Sequence, residues 1–504
     1  MLIIIFILAF IIRFLYFPGN IYFGFDQARD AFAALEISAG NLKLIGPPTS
    51  FPGLFHGVLY YYILAPLYFL GGGNPEFVAA FLRILNACGV FLIFNIASIL
   101  FNRKVGLFAA LLYAVNFEQS QFSIYMGNPT LANLSIMVMY LGLALVIFKK
   151  KNFGLLLVFF GLGFSIQFQF ALFYLVIPMF LILFIFRKTF IKTPFKICLL
   201  AILIFILSVS TFILAEIKYG FKTVDALISL VNSEGGKNLS NIIDTYLYTI
   251  DKIVQFNLTG NLQISVVIII LILVVLIFYI RKKEYSKQLI FLSIWFFSLL
   301  VTFIINGGVS EPQKNIPLYY PNIGVSIALI IFVSFLFGKI FERTKYLATI
   351  LMILILLANY QKISIFNTKG TIIEINAQQG MLLSDEKQIL DYIYHDSDGS
   401  IAVKAVTMPF DINTTWSYLF EWYGLQKYGY LPIWNGKNAP GFPGNLKIQE
   451  AQEGLPQIRY VIIEPLRGVP MHLVRDYIKE EDYFTKIVDE KKIGQIMVQK
   501  RVKY

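Results

Sequence analysis

Tyr60-Tyr61-Tyr62-Ile63-Leu64-Ala65-Pro66-Leu67-Tyr68-Phe69-Leu70 is the stretch on which the reading of the whole chain turns. It is apolar, yet it runs for only 11 residues, with Pro66 inside it and Gly71-Gly72-Gly73 after it. A helix needs about 20 apolar residues to cross a bilayer, so this one is expected to lie along the outer interface or re-enter. Counted as a crossing, it would reverse the side of every later loop.

The runs on either side of it are long enough to set the class. The 504 residues are 57% hydrophobic and 14% charged, with a mean hydropathy of +0.70, whereas soluble domains carry about 25% charged residues. Apolar runs at 2–17, 77–100, 105–117, 130–148, 153–166, 171–186, 197–215, 264–280, 288–305, 320–337 and 346–359 predict about eleven membrane helices. The shorter runs at 105–117, 153–166 and 346–359 are expected to extend into their flanks or to tilt. Aromatic residues make up 16% of the chain, which suits lipid-facing and interfacial positions.

Charge orients the runs. Five alternate connections hold sixteen basic residues: Arg103 and Lys104; Lys149 to Lys151; Arg187, Lys188, Lys192 and Lys196; Arg281 to Lys283 and Lys287; Lys339, Arg343 and Lys345. The short loops between them, at 118–129, 167–170 and 306–319, contribute only Lys314. Basic loops stay cytoplasmic, so the first loop (18–76), the loop at 216–263 and the tail are expected outside. The net charge of +12 is therefore topology, not a nucleic-acid footprint. Cys88 and Cys198 fall inside apolar runs and read as packing residues, and three histidines leave no zinc-type cluster. The N-terminus lacks a basic leader and a small-residue cleavage site, and reads as an uncleaved first span.

Two units follow: a membrane part over 1–359 and an extracytoplasmic α/β domain over 360–504. In the second, 401–406 and 460–463 read as strands, 414–428 and 472–480 as helices, and one strand near 492–501 closes the chain. An amphipathic helix is expected around 241–256.

The chemistry concentrates in Phe25-Asp26-Gln27-Ala28-Arg29-Asp30, two carboxylates and an arginine at the membrane–water boundary. Asp26 reads either as a functional carboxylate or as a cap for a helix starting near Gln27. Asp30 lies one turn further along the same face, and Arg29 is placed to pair with either acid.

Taken in order, Arg13, Phe25-Asp26-Gln27-Ala28, Ile45-Gly46-Pro47-Pro48, Leu54-Phe55-His56-Gly57-Val58-Leu59-Tyr60-Tyr61 and Arg83 resemble the GT-C class of integral-membrane glycosyltransferases. The likeness is to the branch of protein O-mannosyltransferases and lipid A aminoarabinose transferases (glycosyltransferase family 39-like), and covers roughly residues 1–190. It implies transfer of a sugar from a polyprenyl-phosphate donor to a protein, lipid or glycan acceptor on the outer face of a cell envelope membrane, with inversion. Such a transfer needs a base at the acceptor hydroxyl and cationic groups at the leaving phosphate.

The resemblance makes Asp26 the candidate base. Asp30 would orient Asp26, bind a sugar hydroxyl or stand solvated. Arg83, Lys314 and His56 are the candidates for the donor phosphate. His56 replaces the family's lysine, and Lys314 stands where the family has a histidine or arginine. The bland readings are a snorkelling Arg83 and a hydrogen-bonding His56. A second acidic residue is expected in the next outer loop, where Glu118 and Asn128 are the candidates. Glu118 also reads as a plain loop charge, and Asn128, nearer the family's position, is not acidic. A divalent cation (Mg or Mn), held by Asp26 and Glu118, is the one cofactor the resemblance leaves open. Gln167 and Gln169 read as turn residues. Trp416, Trp422 and Trp434, with Tyr418, Tyr423, Tyr428 and Tyr430, suit a domain core or a face packed on the membrane part better than sugar stacking.

Two other classes compete. A transporter or flippase of lipid-linked saccharides would carry charges along its spans, and here they gather in the loops. A structural assembly protein would leave Asp26 dispensable.

Overall fold

The structure, a computed structural model, describes residues 1–49, 51–232, 239–306, 322–372, 378–395, 399–466 and 469–504. The apolar runs all fold as helices. In chain order these are α1 (Leu2–Phe14), α2 (Phe25–Ser38), α3 (Leu59–Leu70), α4 (Pro75–Leu100), α5 (Arg103–Ala114), α6 (Phe117–Ile124), α7 (Asn128–Lys149) and α8 (Gly154–Phe168). There follow α9 (Val176–Ile185), α10 (Arg187–Phe190), α11 (Phe195–Tyr219), α12 (Lys222–Asn232), α13 (Leu239–Asn257), α14 (Leu262–Arg281), α15 (Ser286–Phe297), α16 (Leu299–Asn306), α17 (Val325–Arg343) and α18 (Lys345–Phe366). Local chemistry sets several of the starts. Asn74, Asn102 and Asn116 cap α4, α5 and α6 by accepting amide hydrogens of the first turn. Gly220, at φ +70°, ends α11 in the left-handed region.

Among the described residues, seven helices are long and apolar enough to cross a membrane. The runs at 2–17, 105–117, 153–166 and 171–186 give shorter helices. The last of these opens with a 3₁₀ segment (Phe170–Leu175) before α9. In the run at 288–305, α15 and α16 meet at Ser298, whose backbone stays in the right-handed helical region (φ -57°, ψ -28°), so that Ser286–Ile304 counts as one span. The short stretch that orients the chain is α3, 12 residues with Pro66 inside, and its Phe69 and Leu70 are exposed.

Burial sorts the helices into a centre and a rim. In α7, 72% of the apolar window is buried, against 6% in α11 and 11% in α14. The centre packs closely through small residues: a Cβ on Gly142 of α7 would lie 2.5 Å from the Gly154 carbonyl oxygen of α8.

The tail folds around a five-stranded sheet of order β2-β1-β3-β5-β4, made by β1 (Ala402–Val406), β2 (Ile433–Trp434), β3 (Ile458–Ile463), β4 (Thr485–Ile493) and β5 (Ile496–Lys503). β1 pairs in parallel with β2 and β3, and β3, β5 and β4 run antiparallel. The helices are α19 (Leu383–His395), α20 (Thr414–Leu419), continued through a π turn into α21 (Leu425–Tyr428), and α22 (Met471–Asp482). The expected single closing strand is instead the hairpin β4–β5, turning at Gly494. Between its two end residues β4 is exposed throughout, so it shows none of the alternation by which a half-buried strand is read.

One aromatic residue of α20, Tyr418, packs on the membrane part. Tyr418 donates to the Gly73 carbonyl at 2.5 Å and its ring meets Phe23, Phe32 and Tyr68. Trp416 and Trp434 are core residues of the tail.

Candidate active site

The first loop is held from both of its ends and from below. Near its start, Ile21 and Phe23 exchange backbone hydrogen bonds with Leu383 and Met381 of the tail, at 2.9 and 3.2 Å. Near its end, Gly57 N donates to the Gln167 carbonyl at 2.8 Å and Leu59 N reaches Gln167 Oε1. Gln167 Nε2 in turn donates to Ser208 and Thr211 of α11, each at 2.8 Å. The glutamine read as turn polarity is thus the post to which the loop is tied. A Cβ on Gly57 would fall 2.8 Å from Gln167 Cα, which is backbone and cannot yield. Gly57→Ala is therefore expected to cost about 1–3 kcal/mol by overpacking, read as a lower thermal midpoint of the purified protein.

α2 carries the site. Its N-cap is Gly24, whose amide donates to Gln27 Oε1 at 3.2 Å, so Asp26 does not cap the helix. Gln27 Nε2 donates onward to the Met126 carbonyl at 3.0 Å, fastening α2 to the loop before α7. Arg29 lies between the two acids. Its Nη1 donates to Asp26 Oδ1 at 2.6 Å, and its Nε and Nη2 to Asp30 Oδ1 at 2.9 and 2.7 Å. The side chain of Asp26 is 41% exposed and that of Asp30 is 4% exposed. Burial pushes the Asp30 carboxyl up to about 6, against the pull of Arg29 and a hydrogen bond from Tyr61. The solvated reading of Asp30 gives way to a buried carboxyl that shares Arg29 with Asp26.

The second acidic candidate faces elsewhere. Glu118, on α6, is buried and accepts a hydrogen bond from Asn257 Nδ2 of α13. Asn257 also joins Asn116 (2.9 Å), and its carbonyl accepts from Asn359 of α18 at 2.8 Å. Glu118 belongs to this polar seam between α6, α13 and α18, not to an exposed loop charge. Asn128 is buried at the start of α7, two residues beyond the Met126 carbonyl that Gln27 holds. Among the described residues no group of three or more His, Cys, Asp and Glu is placed to hold a metal ion. Of the two residues expected to hold a cation, Asp26 is paired with Arg29 and Glu118 is engaged by Asn257.

The basic candidates differ from expectation in their surroundings. Arg83 is fully buried, donating to the Arg13 carbonyl at 3.1 Å and to Asn20 Oδ1 at 2.9 Å, with Phe17 under its guanidinium. It neither snorkels nor faces an opening. Arg13 is its counterpart, donating to Asn86, Ala114 and Tyr113. His56 Nδ1 accepts the Phe170 amide at 3.1 Å. Burial, and then the charge of Arg29, hold its imidazole down to about 3, so it is neutral at ordinary pH. Lys314 lies outside the described residues.

No curated protein sequence matches the chain. Residues 55–214 match the model of the family described as dolichyl-phosphate-mannose-protein mannosyltransferase. Two solved structures of ArnT from Cupriavidus metallidurans, one bound to undecaprenyl phosphate and one in the apo state, superpose on the whole chain. TM-scores are 0.60 and 0.62 at 9% identity, over 99% of this chain and 97% of that one. The fold is that of the GT-C glycosyltransferases. An integral membrane protein follows, with the GT-C arrangement of membrane helices and a small C-terminal sheet. Within this GT-C frame Asp26 stands on α2, the helix of the first loop. Tyr61 and Gln27, which support the site, fall in the stretches that carry the resemblance, whereas nothing in the sequence singles out Asn257, whose partners Asn116 and Glu118 are remote from it.

Proposed function

We propose that this protein is a membrane glycosyltransferase that moves a sugar from a polyprenyl-phosphate donor to a hydroxyl of a protein, lipid or glycan acceptor. The observation that carries the reading is Asp26, a carboxylate open to solvent and fixed by Arg29 on a helix that the rest of the fold holds in place. An acceptor hydroxyl hydrogen-bonded to Asp26 gives up its proton as its oxygen attacks the anomeric carbon. The bond from that carbon to the phosphate oxygen breaks, the lipid phosphate leaves with the electron pair, and one displacement inverts the configuration. Arg29 keeps Asp26 aimed.

Support for a lipid-phosphate donor comes from the ArnT structure that binds undecaprenyl phosphate. With Arg83 sealed and His56 neutral, Lys314 is the candidate for the donor phosphate. Eleven crossings, an outward-facing site and a separate tail domain over 360–504 belong to the same proposal, on the distribution of basic loops.

The test is transfer by purified protein across a panel of polyprenyl-phosphate sugars, with peptide, lipid A-type and glycan acceptors. Donor consumption with formation of an inverted glycoside supports the reading; intact donor throughout the panel rejects it. One pH dependence follows. The Asp30 carboxyl, raised to about 6, is ionised above that value and protonated below it, and protonation loosens its hold on Arg29. kcat/KM is expected to fall as pH drops through about 6, and Asp30→Asn to remove that limb from the profile.

A further inference from the structure

Among the described residues the tail buries three acids, and two of them are treated differently from the third. Glu481 is fully buried but faces Lys404 at 3.2 Å, Arg459 at 3.7 Å and Asn435 at 2.9 Å. Glu464 is 3% exposed and receives Gln378 Nε2 (2.8 Å), Met408 N (3.0 Å) and Trp416 Nε1 (2.9 Å), a set of donors that suits an ionised carboxylate. Glu386, in the first turn of α19, is 0% exposed, and neither of its oxygens has a hydrogen-bond partner among the described residues.

The position of Glu386 matters because α19 begins where the tail meets the first loop. Leu382 bridges Tyr22, Leu383 N donates to the Ile21 carbonyl, and Ser384 Oγ donates to that of Gly19. Tyr22 itself accepts the Gln378 amide at 3.1 Å, and Asp26 follows four residues later. Among the described residues the charged groups acting on Glu386 are both negative, Glu464 just after β3 and Asp385 from its own helix; the Tyr22 hydroxyl faces it from the loop. The nearest lysine of α19, Lys387, turns away to Glu76 at 3.0 Å. A helix N-terminus favours an anion only modestly, whereas an unpaired buried charge is strongly disfavoured.

We propose that Glu386 is a positioning residue: its carboxyl sits uncharged in the seam, so that docking of the tail onto the loop that carries Asp26 requires a proton. Burial and then Glu464 hold this carboxyl well above its ordinary range, and burial brings Glu464 up to about 7. The two carboxyls are coupled, so that a charge on one disfavours a charge on the other. The docked value is raised above the undocked one. Docking is therefore complete below the ordinary carboxylate range and weakens as pH rises through the docked value.

The catalytic consequence rests on the proposed role of Asp26; the docking does not. Hydrogen exchange of the full-length protein in detergent measures it, through protection of the Phe23 and Leu383 amides between about pH 7 and about pH 9. Wild-type protection, corrected for intrinsic base catalysis, is expected to fall by up to about tenfold per pH unit, the slope of one proton. E386Q, and E386M should the amide fold poorly, are expected to stay flat over that range. The same fall in the variants, or none in the wild type, overturns the inference. Transfer followed on the same samples should track protection in the wild type and lose that alkaline dependence in E386Q. If the panel yields no transfer while the protection profiles behave as stated, the docking stands and the enzymatic reading alone fails.

Discussion

Asp26→Asn is expected to lower kcat by about 10²- to 10⁴-fold, the range over which a positioned general base contributes, with the protein still folded. The substitution keeps the shape of the side chain and leaves an Oδ1 to accept the Arg29 Nη1 hydrogen now held at 2.6 Å. What it removes is the negative charge and the basicity. Folding should tolerate the change, because the side chain is 41% exposed and the capping of α2 falls to Gly24 and Gln27. The loss corresponds to about 3–5 kcal/mol of transition-state stabilisation, and it should appear in kcat with the KM for donor little moved. Initial rates at saturating donor, beside a thermal melt of the same sample, make the check. An Asn variant that turns over like the wild type places the base elsewhere and returns Asp26 to a loop charge.

The membrane class was legible because a bilayer imposes length and polarity so strictly that apolar runs speak directly. Even so, the limits of that signal show before α9, where continuous apolar sequence conceals a 3₁₀ opening. Hydropathy does not register where hydrogen bonding changes. The candidate site was legible in its local part. Asp26, Arg29 and Asp30 are local to one helix, and their spacing alone brings them together.

The supporting shell was not. Gln167 ties down Gly57 from 110 residues away, and Glu118 is turned from the first loop by Asn257, 139 residues on. No local pattern announces such pairs. Arg83 illustrates the reverse error. Its placement at the outer end of a span suggested a working charge, while the structure gives its guanidinium to the Arg13 carbonyl and Asn20. A buried arginine held by neutral oxygens serves the join between α1 and α4, and only contacts distant in sequence distinguish it from one poised for phosphate.

Arg29→Ala should be the most damaging substitution in the site for stability, at about 3–5 kcal/mol, since it strips the cationic partner from a buried carboxylate. Arg29 is the donor shared by both acids, and its side chain is 15% exposed against 4% for Asp30. Without it, Asp30 is left charged beside Asp26 in a buried setting, and both burial and like charge then drive its carboxyl above the value of about 6 it has with Arg29 present. The sign of the pH dependence follows. Well above that value the wild type gains the full ion pair and the variant loses most; below it Asp30 is protonated in both proteins and the difference shrinks. Melts of the two proteins at about pH 8 and about pH 5 should therefore converge at the lower pH. Arg29→Lys keeps the charge but cannot fork between two carboxylates, so it should recover part of the stability and little of the rate. A constant gap between wild type and Ala variant at both pH values would mean that packing on Phe25, which lies 5.7 Å beneath the guanidinium, outweighs the carboxylates. Asp26 would then owe its orientation to the helix itself rather than to the ion pair.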